Sequence, residues 1–316
     1  MRVLVTGAGG FVGDALCRRL FAAGHHVVGA FRDPPAPRDW MEIRVTGDLV
    51  RISDFTEIVQ HTDAVIHLAA RVHMMRDKAS DPDRAFGQAN CDVTRGLAQA
   101  AADSGIGRFV FLSSIKVNGE ETSGAPYTER DIAAPADAYG RSKRDAELAL
   151  QEIAAASAMD VTILRVPLVY GPNVRANFAT LMRICDTSLP LPLDGLTENR
   201  RSLLYLGNLT HALETVVTAD SDPSGTYLLS DGEDMSTADL VRHLRQSLNR
   251  HPPRLPIPAA VLGFCAALAG KKEAARRICG SLRLDSSGFG KAFGWTPPFS
   301  PVQGIAATVA AHRATR

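Results

Sequence analysis

Apolar positions in the first half of the chain fall into short runs separated by stretches with helical spacing. The runs cover residues 3–5, 27–31, 43–45, 64–67, 109–112 and 161–166, and the stretches between them cover 11–23, 53–60, 81–103 and 138–158. Continuous rather than alternating apolar runs suit strands buried on both faces, and helix-length segments between them supply the crossovers. The pattern predicts an α/β fold: a parallel sheet covered by helices on both faces, with right-handed connections.

Beyond residue 166 the texture changes. Pro167, Pro172, Pro190, Pro192, Gly195 and Pro223 break the chain into short pieces, and a second proline cluster spans 252–258. An apolar stretch at 257–270 follows; it contains Pro258 and Gly263, is too short to span a bilayer, and reads as a buried or interfacial helix. Residues 294–298 read as a turn, followed by a terminal helix from about Pro301. This half is expected to form a smaller lobe over the C-terminal edge of the sheet, where open α/β folds bind ligands.

Composition adds exclusions. The chain has 316 residues, 45% hydrophobic and 22% charged, with a net charge of +1, so no nucleic-acid partner is expected. The first strand starts at the N-terminus, leaving no room for a signal peptide. Cys17, Cys91, Cys185, Cys265 and Cys279 are odd in number and lack metal-ligand spacing, so no metal is expected. Reduced thiols in the cytoplasm fit them best.

The candidate chemistry sits at strand ends. The first run leads directly into Gly7, Gly10 and Gly13 and then into a helical stretch. A helix N-terminus with bare backbone N–H groups is a ready anion site. Gly7 permits the turn, Gly10 lets backbone approach a pyrophosphate, and Gly13 lets helix pack on strand. Tyr139 and Lys143, four apart, share one helix face, and a cation beside a phenol favours the phenolate. The pair suits a tyrosine working as acid or base near neutral pH. The run at 109–112 ends in Ser113 and Ser114, placing hydroxyls at the same sheet edge.

Taken in order, the glycine turn (Thr6 to Gly13), Gly47-Asp48-Leu49, His67-Leu-Ala-Ala70, Asn90, Ser113-Ser114, Tyr139-x-x-x-Lys143 and the segment from Arg165 to Pro172 resemble an extended short-chain dehydrogenase/reductase. The type is the NAD-dependent epimerase/dehydratase family, and the match extends through Arg200–Asn208 to Trp295. The resemblance implies a Rossmann-like doubly wound parallel sheet with a smaller C-terminal substrate lobe. It divides the chain into a dinucleotide domain at 1–168, joined by about 201–230, and a nucleotide-sugar lobe at 169–200 and 231–316. Ser114, Tyr139 and Lys143 would be catalytic. Tyr139 would exchange a proton with the substrate, Ser114 would bond the same oxygen, and Lys143 would hold the nicotinamide ribose and depress the Tyr139 pKa. The cofactor would also touch Gly7, Gly10, Phe11, Val12, Gly13, Arg32, Asp48, Leu49, Leu68, Ala69, Ala70 and Pro167. Ser113, Lys116, Asn177 and Arg201 would meet a UDP-sugar, the last two at its diphosphate. Asn90 and His67 are expected to be structural.

Phe31 stands where NAD-specific relatives carry an acid, and Arg32 follows, so NADP(H) is expected ahead of NAD(H). Ile115 and Lys116 replace the carboxylate pair of sugar dehydratases. The segment from Ser113 to Glu120, with that from Ala69 to Arg76, most resembles O-antigen 4-ketoreductases acting on UDP-4-keto-6-deoxy-N-acetylhexosamines. The leading expectation is such a reductase. The alternative is a UDP-hexosamine (or UDP-hexose) 4-epimerase holding NAD+ tightly, and a remoter one is a non-catalytic NADP sensor. The family's usual homodimer would pair the helices near 81–103 and 138–158.

Overall fold

A computed structural model describes residues 1–72, 80–220, 224–253, 255–268 and 272–314. The first half runs β1 (Arg2–Thr6), α1 (Phe11–Ala22), β2 (His26–Phe31), β3 (Glu42–Val45), α2 (Thr56–Val59), β4 (Ala64–His67), α3 (Pro82–Phe86), α4 (Val93–Asp103), β5 (Arg108–Ser114), α5 (Ala138–Ala156) and β6 (Asp160–Val166). The second half runs β7 (Leu168–Tyr170), α6 (Ala176–Cys185), β8 (Leu203–Tyr205), α7 (Leu206–Thr218), β9 (Gly225–Leu228), α8 (Thr237–Ser247), α9 (Ala259–Leu268), α10 (Lys272–Cys279), α11 (Ser287–Phe293) and α12 (Pro301–Ala314).

Seven parallel strands form one sheet in the order β3-β2-β1-β4-β5-β6-β9, and β7 and β8 pair in a second, two-stranded sheet. The strand alternation of β1 explains the layering. Val3 and Val5 face Leu16 and Leu20 of α1 and Leu213 of α7, while Leu4 faces the opposite layer with Leu97 of α4 and Leu150 of α5. In α4 the buried positions Leu97, Ala98 and Ala101 recur at helical spacing, which fixes the face it turns to the sheet. The chain goes from β1 out to β2 and β3, then back to β4 on the other side of β1. The gap between β1 and β4 is therefore the topological switch point, where such sheets bind ligands.

The expected sheet stands, with three differences of detail. The helix expected at 53–60 shrinks to α2: Phe55 is its N-cap, and the Asp54 carboxylate accepts the Thr56 N–H at 2.9 Å ahead of the first turn. The helix expected at 81–103 contains a π-helical turn, Gly87–Asp92, whose extra residue swings Asn90 inward. The strand expected to stop at residue 112 continues to Ser114, because Ser113 and Ser114 pair with Arg165 and Val166 of β6. In the second half α9 covers ten residues of the apolar stretch, and among the described residues no helix is long and apolar enough to cross a membrane.

The second half is tied together by one buried carboxylate. Asp231 accepts from the Tyr205 N–H at 2.8 Å, from Asn208 Nδ2 at 2.7 Å and from the Tyr170 hydroxyl at 3.0 Å. Burial outweighs these donors and holds its carboxyl up at about 6, against an ordinary 3.8. A group that binds its proton more tightly folded than unfolded stabilises the fold at acid pH, and that contribution fades as pH rises from about 4 through 6. Asp231→Asn is expected to remove this slope. Its amide oxygen still serves Tyr205 and Asn208, and the Tyr170 hydroxyl turns to the Pro301 carbonyl at 3.2 Å. In denaturant titrations at about pH 4 and about pH 7, the wild-type chain should lose about 2 kcal/mol more than the variant. Equal losses would refute the assignment.

Candidate active site

The turn from β1 into α1 forms one wall of the site. Gly7 takes φ +68° and passes so close to the end of β4 that a Cβ there would lie 3.0 Å from Ala69 N. A Cβ on Gly13 would stand 2.1 Å from Gly7 O, so strand and helix touch backbone to backbone. Gly10 is the N-cap and supplies no side-chain cap, so the first N–H groups of α1 remain open toward the switch point. A glycine-lined helix start without a side-chain cap fits the pyrophosphate of a dinucleotide. Phe11 and Val12, half-buried, and buried Gly13 form its first turn.

Thr6 locks this wall to the next strand. Its hydroxyl oxygen accepts the Leu68 and Ala69 N–H groups, each at 3.2 Å, and its proton therefore goes to His67 Nδ1 at 2.7 Å. His67 Nε2 then donates to Thr94 Oγ1 at 3.1 Å, and Thr94 donates to Asn90 O. Fully buried and near Lys143, His67 has its pKa pulled down to about 3 and stays neutral, a core histidine with both nitrogens used. Asn90 clamps both main-chain groups of Arg71 (2.8 and 3.0 Å) and donates to Ser142 Oγ at 2.9 Å, which fixes the segment after Ala70 against α5. His73 and Arg76 of the same motif lie outside the described residues.

At the end of β2, Phe31 is buried and lies beneath Gly9, where a Cβ would come 3.3 Å from the ring. Arg32 is exposed. Arg38, which sequence reasoning missed, lies with its guanidinium 5.5 Å from the Phe31 ring centre and bonds Asp14 Oδ1 at 2.5 Å. Asp48 is exposed and caps the short turn Leu49–Arg51 through Val50 N at 3.2 Å, while Leu49 packs on the core. Pro167 is buried directly after β6.

The opposite wall is α5. Asp137 caps it, Tyr139 lies in its first turn and Lys143 one turn further in. The Tyr139 ring meets Phe86 of α3 edge-on at 6.1 Å, with its hydroxyl toward Ser114 at the end of β5. Burial pushes the phenol up to about 12, the Asp137 charge adds to the rise, and the hydrogen bond with Ser114 offsets part of it. Lys143 Nζ donates to Leu112 O at 2.9 Å and lies 4.3 Å from the Phe111 ring centre, which fixes its head group at the end of β5. Burial lowers Lys143 itself to about 7, against the opposing pull of Glu147.

Beneath the pair lies a network that the motif reading did not find. Glu147, four residues past Lys143, takes both Arg165 Nε (3.1 Å) and Nη2 (2.6 Å), and Arg165 Nη1 reaches Asn118 Oδ1 at 3.0 Å. Only its place at i+4 from Lys143 marked Glu147 in the sequence. Ser113 donates to Glu147 Oε1 at 2.5 Å and is 2% exposed, so its expected substrate contact is corrected: this hydroxyl belongs to the interior. The network anchors β5, β6 and α5 to one another, since stranding one partner of a buried ion pair costs about 3–5 kcal/mol.

The remaining sugar-facing expectations divide. Lys116 is paired with Asp137 and Glu120, so its ammonium is committed to carboxylates rather than turned to a ligand. Asn177 is exposed in the first turn of α6. Arg201 is half-buried, gives one nitrogen to Gly280 O at 3.0 Å, and has Glu120 near enough to stabilise its charge. The structure thus gathers the glycine turn, Leu68 to Ala70, Ser114, Tyr139, Lys143 and Pro167 along one sheet edge, and sets Asn177 at the start of α6 and Arg201 just ahead of β8.

Residues 3–229 match the sequence model of the NAD dependent epimerase/dehydratase family. The chain is 39% identical over 311 residues to a UDP-glucose 4-epimerase of Vibrio cholerae, covering 98% of this chain and 94% of that one. It is 26% identical over 321 residues to an N-acetyl-alpha-D-glucosaminyl-diphospho-ditrans,octacis-undecaprenol 4-epimerase of Escherichia coli O157:H7, covering 97% and 94%. Among solved structures, a UDP-glucuronic acid 4-epimerase of Bacillus cereus in complex with UDP-glucuronic acid and NAD superposes over the full length of both chains, with a TM-score of 0.80 at 21% identity.

Proposed function

The chain belongs to the NAD dependent epimerase/dehydratase family, and from that premise we propose that it is a nucleotide-sugar 4-epimerase, inverting C4 of a UDP-linked sugar with a retained nicotinamide dinucleotide. The observation that carries this reading is the 39% identity along nearly the whole chain to a named UDP-sugar 4-epimerase, with Ser114, Tyr139 and Lys143 all at the sheet edge. It replaces the reductase expectation with the alternative weighed beside it. Dehydration lacks its groups: Ile115 and Lys116 follow Ser114, and Lys116 is bound by carboxylates.

The cradle of Gly10, Phe11, Val12 and Gly13 would hold the pyrophosphate. Asp48 and Leu49 would flank the adenine, and Leu68, Ala69, Ala70 and Pro167 would wall the cleft. We take NAD(H) over the NADP(H) suggested by Phe31 and Arg32. The family is described as NAD dependent, and the cation over Phe31, Arg38, is already paired with Asp14. Bound there, the nicotinamide supplies the hydride acceptor and donor for C4. Tyr139 takes the proton of the C4 hydroxyl and returns it, Ser114 holds the same oxygen, and Lys143 holds the ribose beside them. Asn177 and Arg201 receive the diphosphate. Two copies pair through α4 and α5, where Leu148 is exposed, and the enzyme works in the cytoplasm.

The test is to incubate the purified chain with UDP-glucose and UDP-N-acetylglucosamine without added reductant and follow the sugars by NMR. At least one should approach equilibrium with its 4-epimer with no net cofactor consumption. Stoichiometric oxidation of NADPH by a UDP-4-ketosugar, without interconversion, would restore the reductase.

A further inference from the structure

Lys116 stands two residues after Ser114, in the 3₁₀ turn Ile115–Val117 that leaves β5. Its ammonium reaches Asp137 Oδ2 at 2.5 Å and Glu120 Oε1 at 2.8 Å, with all three side chains half-buried. The other oxygen of Asp137 accepts the Gly140 N–H at 2.7 Å and closes the first turn of α5. The main chain of the same lysine presses on that turn too, since a Cβ on Gly140 would lie 2.7 Å from Lys116 O. One residue at the mouth of β5 therefore grips the start of the helix that carries Tyr139.

We propose that Lys116 is a positioning residue for the Tyr139 proton transfer, its ammonium pinning and neutralising the carboxylate that caps the tyrosine's helix. This rests on the reading of Tyr139 given above. The phenol is faced by Ser114 from β5, by Phe86 from α3, by Asp137 from its own cap and by Lys143 one turn along. Glu120 lies beyond Lys116, and the Asp83–Arg141 ion pair joins α3 to α5 at the surface. Among these groups the negative charge of Asp137 opposes phenolate formation. Lys116 offsets it without touching the phenol.

Two measurements test the assignment. In the holoenzyme, the limb of the kcat–pH profile set by Tyr139 is expected to move up by about half a pH unit in Lys116→Met and to return in Lys116→Arg. Asp137→Asn, which keeps an N-cap, should move it down. Separately, unfolding of Lys116→Met, Asp137→Asn and the double variant should be non-additive by about twofold or more in the equilibrium constant. An active enzyme whose profile is unmoved in Lys116→Met overturns the proposal, and so does strict additivity. A wild type that turns over no nucleotide sugar defeats the epimerase reading instead, and the unfolding cycle still decides whether Lys116 grips Asp137. If Lys116→Met fails to fold, Lys116→Gln takes its place in both measurements and is read the same way.

Discussion

Replacing Tyr139 with phenylalanine is expected to lower kcat by about 10³-fold while leaving dinucleotide binding and folding nearly intact. Phenylalanine keeps the ring and its edge-on contact with Phe86, so packing changes little. What disappears is the hydroxyl, and nothing beside it replaces its function. Ser114 is a neutral alcohol with no base of its own. Lys143 has its ammonium on the Leu112 carbonyl, and His67 is buried with both nitrogens bonded. A phenol held near 12 is almost wholly protonated at neutral pH in the bare protein, so little phenolate is there to accept a proton. The cationic nicotinamide ring and the substrate oxygen are what would bring it into range, a cation nearby favouring the phenolate. Steady-state kinetics on Tyr139→Phe, with dinucleotide affinity measured in parallel, check this. A variant within tenfold of wild type would remove Tyr139 from the reaction.

Gly13→Ala is expected to be the most damaging single methyl on the dinucleotide side. The added Cβ would meet Gly7 O at 2.1 Å and Ala8 Cα at 2.8 Å, both main chain, so the helix must back away from the strand. Overpacking against backbone costs about 3 kcal/mol here, and the displaced N–H groups of α1 should weaken dinucleotide binding at least about tenfold, the loss of roughly one charge-assisted hydrogen bond. Gly87→Ala is the matched control. Its Cβ meets nothing within 4 Å and its backbone is already helical, so it should be neutral or slightly stabilising. Denaturant titration together with dinucleotide binding separates the two. Wild-type affinity in Gly13→Ala would mean the turn does not form the cradle.

Much of this architecture was legible in the residue pattern, because continuous apolar runs and helical spacing are local signals. β1, β4 and α5 are placed by their own sequences, and the glycine turn by steric needs that only glycine meets. What stayed hidden depends on contacts distant in sequence. The π-helical turn that brings Asn90 inward has no local signature beyond Gly87. β9 is a four-residue edge strand opened by Gly225, whose pairing with β6 is decided by tertiary packing. Lys116 reads as a free cation near a catalytic serine until Asp137, twenty-one positions on, is seen to claim it. The Tyr139–Lys143 spacing correctly puts both on one face. It says nothing of how far Lys143 is buried or that its ammonium finds Leu112 O.

The most direct test of the account follows the hydrogen at C4. A UDP-sugar deuterated at C4, whichever of UDP-glucose and UDP-N-acetylglucosamine the enzyme accepts, should yield its 4-epimer with the label retained at C4, since a bound dinucleotide returns the hydride it received. Loss of the deuterium to solvent, or reduction of a 4-ketosugar with no epimer formed from either substrate, would contradict the central claim.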